Sequence, residues 1–405
     1  MVSTPHRQTI YLTFLTGLSL AMACNTGKAS EFEFEGEIEG EWRHFFNEAQ
    51  SSTSHDDFTS ASALLELGIY SDDGTHALIA KPFARADSHD ENRSHADLRE
   101  AKYRFVEDDF ELTLGLDKIF WGVTEFAHIV DIINQTDNVE STDGEQKLGQ
   151  AMITGSYVTD YGTFSAFFMP TFRPRNFSST DGRPFPGLTI DNDNETYEAS
   201  RGEDAGDIAF RYAHSWSVID LGLAYFDGTS RDPIISLANM QNGKVIPHYP
   251  LREQISIDAQ ATLGPWLLKL EALHQDESNE TSERVVAGFE YSFYGIFASS
   301  TDLGIVMEYL WDERGDEAPH PFADDLGLGL RWTANDIQST TLLAGAIIDL
   351  EYESLAISLE AERRLNNSLK LSLEARIQDQ IDPQERLLYA VKDEDFARLR
   401  LTYYF

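Results

Sequence analysis

Residues 31–46 alternate almost without a break. Phe32, Phe34, Gly36, Ile38, Gly40 and Trp42 fall on one face, and Glu31, Glu33, Glu35, Glu37, Glu39, Glu41 and Arg43 on the other. On a helix this pattern spreads charge around every side; on a strand, with period two, it separates cleanly. The chain ends in the same way. Ala397, Leu399, Leu401, Tyr403 and Phe405 share one face of 396–405, with Arg398, Arg400, Thr402 and Tyr404 opposite. An apolar-aromatic strand at a free terminus leaves an open edge that invites aggregation. Pairing the last strand with the first removes that edge.

Between these ends the alternation predicts further strands near 60–71, 75–86, 96–106, 110–120, 147–159, 162–170, 205–214 and 216–227. Others fall near 252–263, 265–275, 283–293, 301–312, 323–333, 337–348, 352–364 and 368–378. With the first and last, the pattern predicts about eighteen. The connections sort by parity. Tight turns are expected at Asp72-Asp73-Gly74, Glu107-Asp108-Asp109, Asp160-Tyr161-Gly162, around Ser215, at Gly264, over 333–336 and at Asn366-Asn367. The alternate connections, 121–146, 171–204, 228–251, 313–322 and 379–394, are longer and rich in Asp, Asn, Pro and Gly, with one brief exception near 349–351. A soluble sandwich has no reason to sort its loops by parity; a transmembrane barrel does.

The faces carry the same message. Leu355, Ile357, Leu359 and Ala361 oppose Glu360, Glu362 and Arg364, and Leu369, Leu371 and Leu373 oppose Lys370, Glu374 and Arg376. A face this charged is tolerated only toward water, since Arg or Lys at a bilayer midplane costs about 2–4 kcal/mol. Trp42, Trp266, Tyr291, Phe293, Tyr309, Trp311 and Trp332 lie near strand ends, where girdle aromatics sit. The terminal alternation ending in Phe405 and the parity of the loops resemble the Gram-negative outer-membrane β-barrels, and the whole mature length resembles the porin-like channels among them. That resemblance implies an all-β, antiparallel, up-and-down transmembrane barrel of about 18 strands over residues 30–405, with short periplasmic turns and long extracellular loops. It also implies partners: outer-membrane lipid and lipopolysaccharide, the barrel-assembly machinery through the strand ending in Phe405, and small polar solutes.

Composition sharpens this picture at the N-terminus. His6 and Arg7 precede an apolar run from Ile10 to Ala23, of signal-peptide length and too short to span a bilayer as a helix, which needs about 20 apolar residues. Small residues at Gly27-Lys28-Ala29 place the expected cleavage after Ala29, so residues 1–29 are read as the leader. Ala21-Met22-Ala23 is the second choice, and Cys24 after it admits a lipidated alternative. The formal charge of −38 includes Arg7 and Lys28 of that leader, so the remainder is more acidic still. This charge disfavours nucleic-acid binding. Cys24 is the sole cysteine; without it an exported chain has no disulfide, thiolate metal site or cysteine nucleophile.

Candidate function lies in the lumen. The inward basic set is Lys102, Arg104, Arg211, Arg331, Arg364, Arg376, Arg398 and Arg400, faced by Glu35, Glu37 and other glutamates. Arg398 and Arg400 are expected to meet the glutamate ladder of the first strand. Two readings stand: cross-strand pairing, worth about 0.2–1 kcal/mol each, and a field across a pore that selects polar solutes. The connection 121–146 holds Glu125, His128, Asp131, Asn134 and Asp137 among Phe126, Ile129, Val130, Ile132 and Ile133, an apolar density unusual for a solvated loop. In general porins the third extracellular loop folds inward, so the resemblance makes this loop a pore constriction with its carboxylates as a filter; a small helix over the mouth is the alternative. Asp191 to Glu195 offers oxygen ligands of the right type for a divalent cation, without the spacing of an EF-hand. No G-x-S-x-G, H-E-x-x-H or phosphate-loop motif occurs. His128, His248 and His320 lie in predicted loops, the only foothold for a rim enzyme. No cofactor is implied, and no plug domain is expected before the first strand. The expected function is passive diffusion of small polar solutes with a lean toward cations; the alternatives are a carboxylate-specific channel and a barrel plugged by its own loops.

Overall fold

The computed structural model describes residues 30–278 and 280–405; the expected leader, its cleavage site and Cys24 lie outside them. Eighteen strands form one antiparallel sheet that closes on itself. They are β1 (Ser30–Phe45), β2 (Asp57–Ser71), β3 (His76–Asp87), β4 (His95–Glu107), β5 (Phe110–Asp117), β6 (Gln150–Thr159), β7 (Gly162–Met169), β8 (Asp207–Trp216) and β9 (Ile219–Thr229). The second half comprises β10 (Leu251–Leu263), β11 (Trp266–Glu277), β12 (Glu280–Phe293), β13 (Asp302–Asp312), β14 (Asp324–Thr333), β15 (Thr341–Asp349), β16 (Leu355–Arg364), β17 (Leu369–Asp379) and β18 (Phe396–Tyr404). Each pairs with its neighbours in the chain. The seam is β1 against β18, in register from Glu37↔Tyr404 to Phe45↔Phe396. It is lengthened by the reciprocal bonds of Gly36 and Phe405, at 2.9 and 3.0 Å.

The physical reason is the expected alternation. Phe34, Ile38, Trp42, Leu399, Leu401 and Tyr403 point outward and are exposed, as are Phe164, Phe210, Leu330 and Ile357 on other strands. An apolar outer band on a sheet without edges is the condition for spanning a bilayer with strands; toward the loop end it gives way to Asp227, Glu253 and Asp276. Among the described residues no helix is long and apolar enough to do so. Aromatics gather near the turn end, where Trp266 packs edge-on against Tyr291 at 4.6 Å and Tyr403 stacks on Phe405 at 6.0 Å.

Three details differ from the sequence expectation. The turn placed around Ser215 falls instead at 217–218, because Ser215 pairs with Asp220 inside the ladder and Ser217 takes the left-handed conformation, φ 53°. A polar residue had been taken for a breaker. The parity of connections is also looser. At the loop end β11 ends at Glu277 and β12 begins at Glu280, whereas the turn end carries 294–301 and 334–340. Finally, β4 bulges opposite Lys81 and Pro82, so that Arg99 is an extra residue in the ladder. The bulge sends both Arg99 and Glu100 to the lumen, breaking strict alternation.

The lumen is divided. Met152, Phe167, Met169, Ala209, Phe226, Leu273, Val286 and Leu310, on strands from β6 to β13, make an apolar patch on the inner wall, interrupted by Asp258, Lys269, Glu271 and Glu308. The other side, β1–β4 with β14–β18, is lined by charge. Covering the apolar patch is the insert, residues 118–149 between β5 and β6. Trp121, Ile129, Val130, Ile132 and Ile133 join the wall residues in one buried cluster. The barrel therefore has a hydrophobic core inside it, built from one loop.

A charge on the outer face at the middle of a strand tests the membrane assignment. Leu373→Arg, outward on β17, should lower unfolding stability in lipid vesicles by about 2–4 kcal/mol, with Leu373→Phe near neutral, both read from urea titration of the heat-modifiable gel band. Equal behaviour of the two variants would contradict a lipid-facing Leu373.

Candidate functional site: the insert and the charged wall

The insert is held by two wall carboxylates aimed at its backbone. Glu271 of β11 accepts the N–H of Val123 at 2.7 Å, the N–H of Thr124 at 3.0 Å and the Thr124 hydroxyl at 2.7 Å. Its second oxygen accepts from Val130 at 3.3 Å. Glu308 of β13 accepts from Glu125 at 2.8 Å and Phe126 at 3.0 Å. Both glutamates are 0% exposed. The turn of the insert supplies these amides because Gly122 takes φ 129°, and a Cβ there would lie 2.8 Å from the Glu271 oxygen. Next to it the Phe126 ring fills a pit left by three glycines, Gly327 and Gly329 of β14 and Gly345 of β15. Sequence reading passed over these glycines. Their signal was present: an inward face of glycines opposite Leu326, Leu328 and Leu330 leaves space that something must fill.

The five expected constriction residues do not share one role. Asn134 is buried; its side chain accepts from the Ile119 N–H and donates to the carbonyls of Asp117 and Leu148, all at 2.8–2.9 Å. Asp137, also buried, pairs with Arg99 and accepts from Asn176 at 2.7 Å. Asp131 takes Lys147 at 3.1 Å and the Trp121 N–H at 3.2 Å. These three fasten the insert and do not face an aperture. That corrects the expectation that its carboxylates act together as a filter: a loop folded onto an apolar wall turns part of its polar side chains inward to satisfy its own backbone. Glu125 and His128 keep contact with water. Glu125 pairs with Arg331 at 2.6 Å and lies 3.5 Å from Lys269, and His128 pairs with Glu145 at 2.8 Å. Sequence reading missed Asp143 and Glu145, which the fold brings to the solvated side. The alternative of a capping helix is not what forms, because 118–149 is irregular throughout.

The charged wall divides in the same way. Lys102 sits between Glu100 and Asp117 at 2.6 and 2.5 Å. Arg211 makes two bonds to Asp258 at 2.7 and 2.8 Å and lies over the Trp121 ring. Arg376 reaches Glu360 at 2.6 Å, Glu374 at 3.2 Å and Asp143 of the insert at 3.1 Å. Arg398 is buried against Glu374, and Arg400 stays partly exposed, 3.8 Å from the same carboxylate. Arg104 projects inward with its Nε unpartnered. Glu37 is half-buried on the inner face, while Glu35 and Arg364 are exposed at the turn-end mouth and not within the wall. The expected meeting of the last strand with the glutamate ladder occurs through Glu41, which is opposite Arg400 in register and 3.8 Å from Arg398.

The remaining candidates have local partners. His248 meets the Thr196 hydroxyl at 3.0 Å, and His320 meets Asp312 at 2.7 Å. Asp191 closes its own turn, accepting from the Asp193 N–H and the Asn194 amide at 3.0 Å. Among the described residues no group of three or more His, Asp or Glu side chains is arranged to hold a metal.

No family model matches the chain, and no curated protein matches it. Among solved structures it is similar to engineered variants of the porin of Rhodopseudomonas blastica. A double mutant aligns with TM-score 0.44 at 13% identity, covering 93% of this chain and all of that one. Two triple mutants align over the same shares with TM-score 0.45, at 14% and 13% identity. Likeness at this level says nothing of what this chain conducts or binds.

Two outcomes test the seat of the insert and its rim. Gly327→Val should expel Phe126 and free the amides above it, raising hydrogen exchange at 123–130 about tenfold or more, since a hydrogen bond to a charged group is worth roughly 1.5–3 kcal/mol. Unchanged exchange in a folded variant would show that the glycine pit does not hold the insert. His320, in the loop 313–323, has its pKa pushed down to about 4 by burial and by the Arg284 guanidinium. The unfolded imidazole takes its proton near 6.5, so this loop is fully stable above that pH and loses stability as pH falls from there toward 4. NMR should find the low midpoint, and His320→Gln should flatten the pH dependence of exchange in this loop; a midpoint near 6.5 would contradict the burial.

Proposed function

We propose that this chain is an outer-membrane, porin-like channel for passive diffusion of small polar solutes, with a lean toward cations. The observation that carries the proposal is the division of the lumen. The insert covers the apolar patch, and the opposite wall keeps charged side chains in contact with water, among them Glu66, Arg331, Glu360, Glu362, Lys370 and Arg400. A water-lined strip of both signs inside an apolar cylinder suits hydrated solutes and serves no hydrophobic ligand. On this reading the loop end is extracellular and meets lipopolysaccharide. The turn end is periplasmic, and the strand ending in Phe405 is the segment offered to the assembly machinery. Residues 1–29 are the export leader. The cation lean rests on the formal charge of −38 and on acidic groups such as Glu37 on the solvated side. The enzymatic alternative draws no support from the contacts of His128, His248 and His320.

A second reading, a barrel closed by its own loops, is favoured by one observation. Arg183 of the loop 170–206 is buried across the loop end, bonded to Glu394 at 2.7 Å, Asp56 at 3.0 Å and the Asn47 carbonyl at 3.0 Å. Planar-bilayer recording of the refolded protein in a KCl gradient separates the two. Ohmic steps with a cation-selective reversal potential are expected. Glu37→Gln with Glu145→Gln should move that potential toward zero, whereas Asp137→Asn should alter conductance noise and leave selectivity in place. Silence from heat-modifiable, folded protein would leave the closed barrel as the reading.

A further inference from the structure

Closure of the sheet stops short of the end of its first strand. β18 ends at Tyr404, and Phe405 adds the last bonds of the seam, to Gly36. β1 runs on to Ser30. There it is paired with β2 from Ser30↔Ser71 to Glu35↔Glu66, and among the described residues nothing pairs with its other side. At about 3.3 Å per residue the free edge of Ser30–Glu35 is roughly 20 Å long.

The seam fixes which backbone groups lie on that edge. Gly36 and Phe405 exchange both of their bonds, so Gly36 directs its N–H and C=O toward β18. The direction alternates along a strand. Phe32 and Phe34 therefore direct theirs to the same, unpaired side, and Glu33 and Glu35 direct theirs to β2. The side chains alternate as well. Glu31, Glu33 and Glu35 are exposed on the inner face, and none has an ion-pair partner among the described residues. Phe32 and Phe34 are 64% and 48% exposed on the outer face, with the Phe34 ring 5.9 Å from that of Phe405.

An edge of this kind templates another strand unless something blocks it, and neither a proline nor a bulge interrupts it here. A second copy pairing antiparallel would set glutamate opposite glutamate across the joint, which is destabilising. A strand with cations in those places gains where a copy loses. We propose that Ser30–Glu35 is a docking edge for an extended segment of another protein, in which Lys or Arg alternates with apolar residues. The segment adds to β1 antiparallel, in line with β18. Its main chain bonds Phe32 and Phe34, its cations face the three glutamates, and its apolar side chains continue the outer row of Phe34 and Phe405. The edge depends on the closed fold alone and stands whether or not the barrel conducts. With the turn end in the periplasm, the partner is a periplasmic protein.

The probe is a blocked synthetic peptide alternating Lys with Val, labelled for fluorescence anisotropy and titrated into the refolded protein. Binding should saturate, and weaken about tenfold or more in Phe32→Pro, which removes an N–H from the free edge and none from the β2 ladder. Replacing Glu31, Glu33 and Glu35 together by Gln should weaken it as much, and a peptide alternating Glu with Val should not bind. The Lys peptide methylated on its backbone nitrogens keeps its charge but cannot form the ladder. Equal binding of the two would reduce the contact to charge alone and overturn the assignment, even if Phe32→Pro does not fold. A dimer of the protein that Phe32→Pro disperses would give the edge to a second copy and overturn it as well.

Discussion

Closure of the sheet is the constraint on which everything else depends. An open edge leaves a row of backbone amides without partners, so an eighteen-stranded wall with an apolar exterior is tenable only if its first and last strands find each other. The β1–β18 seam does this over nine paired residues from Glu37 to Phe45. Closing it also fixes which side of every strand is inside. A register slip of one residue would turn Ile38 and Trp42 inward and put Glu39 and Glu41 on the apolar outer face, so the charge ladder guards the register as much as it lines the lumen.

A closed wall then creates an interior that must be dealt with. Over β6–β13 the inner face carries an apolar patch, set among Asp258, Lys269, Glu271 and Glu308, that would be poorly solvated if left bare. The insert answers this by burying Trp121, Ile129, Val130, Ile132 and Ile133 on it. Irregular backbone in such a place needs partners for its N–H groups, and no strand is available to provide them. Glu271 and Glu308 stand in for a neighbouring strand, as charged acceptors for several donors each, a stronger bond than a neutral carbonyl makes. Their burial is tolerable for the same reason: each carboxylate is surrounded by donors rather than left empty.

This explains what could be read from the chain and what could not. Period-two alternation is local, so the strands, the seam and the outward faces of Leu399, Leu401 and Leu373 were legible without knowing any contact. The apolar density of 121–146 was legible too, and pointed to a loop that leaves solvent. Which of its polar residues face water was not. Asp131, Asn134 and Asp137 look identical in sequence to Glu125 and Glu145; they differ only in where the folded loop turns, which is set by Gly122 and by a pit of glycines on two distant strands. Arg99 was hidden by the bulge beside Pro82, where proline in a strand was the only hint.

The buried charges near the seam tie these levels together. Arg93 holds Glu41 of the first strand and the Val139 carbonyl of the insert; Arg398 of the last strand holds Glu374 and the Glu140 carbonyl; Arg85 joins Glu140 to Glu39. Ion pairs of this kind add little net stability against an apolar replacement, because desolvation offsets most of the attraction. Their effect is on order. Each arginine spends its donors on both the wall and the insert, so neither partner is satisfied until both are in place. Seating the insert and closing the barrel therefore become one coupled event, and a partly assembled barrel carries unpaired buried charge that drives it either forward to the full contact set or back to solvent.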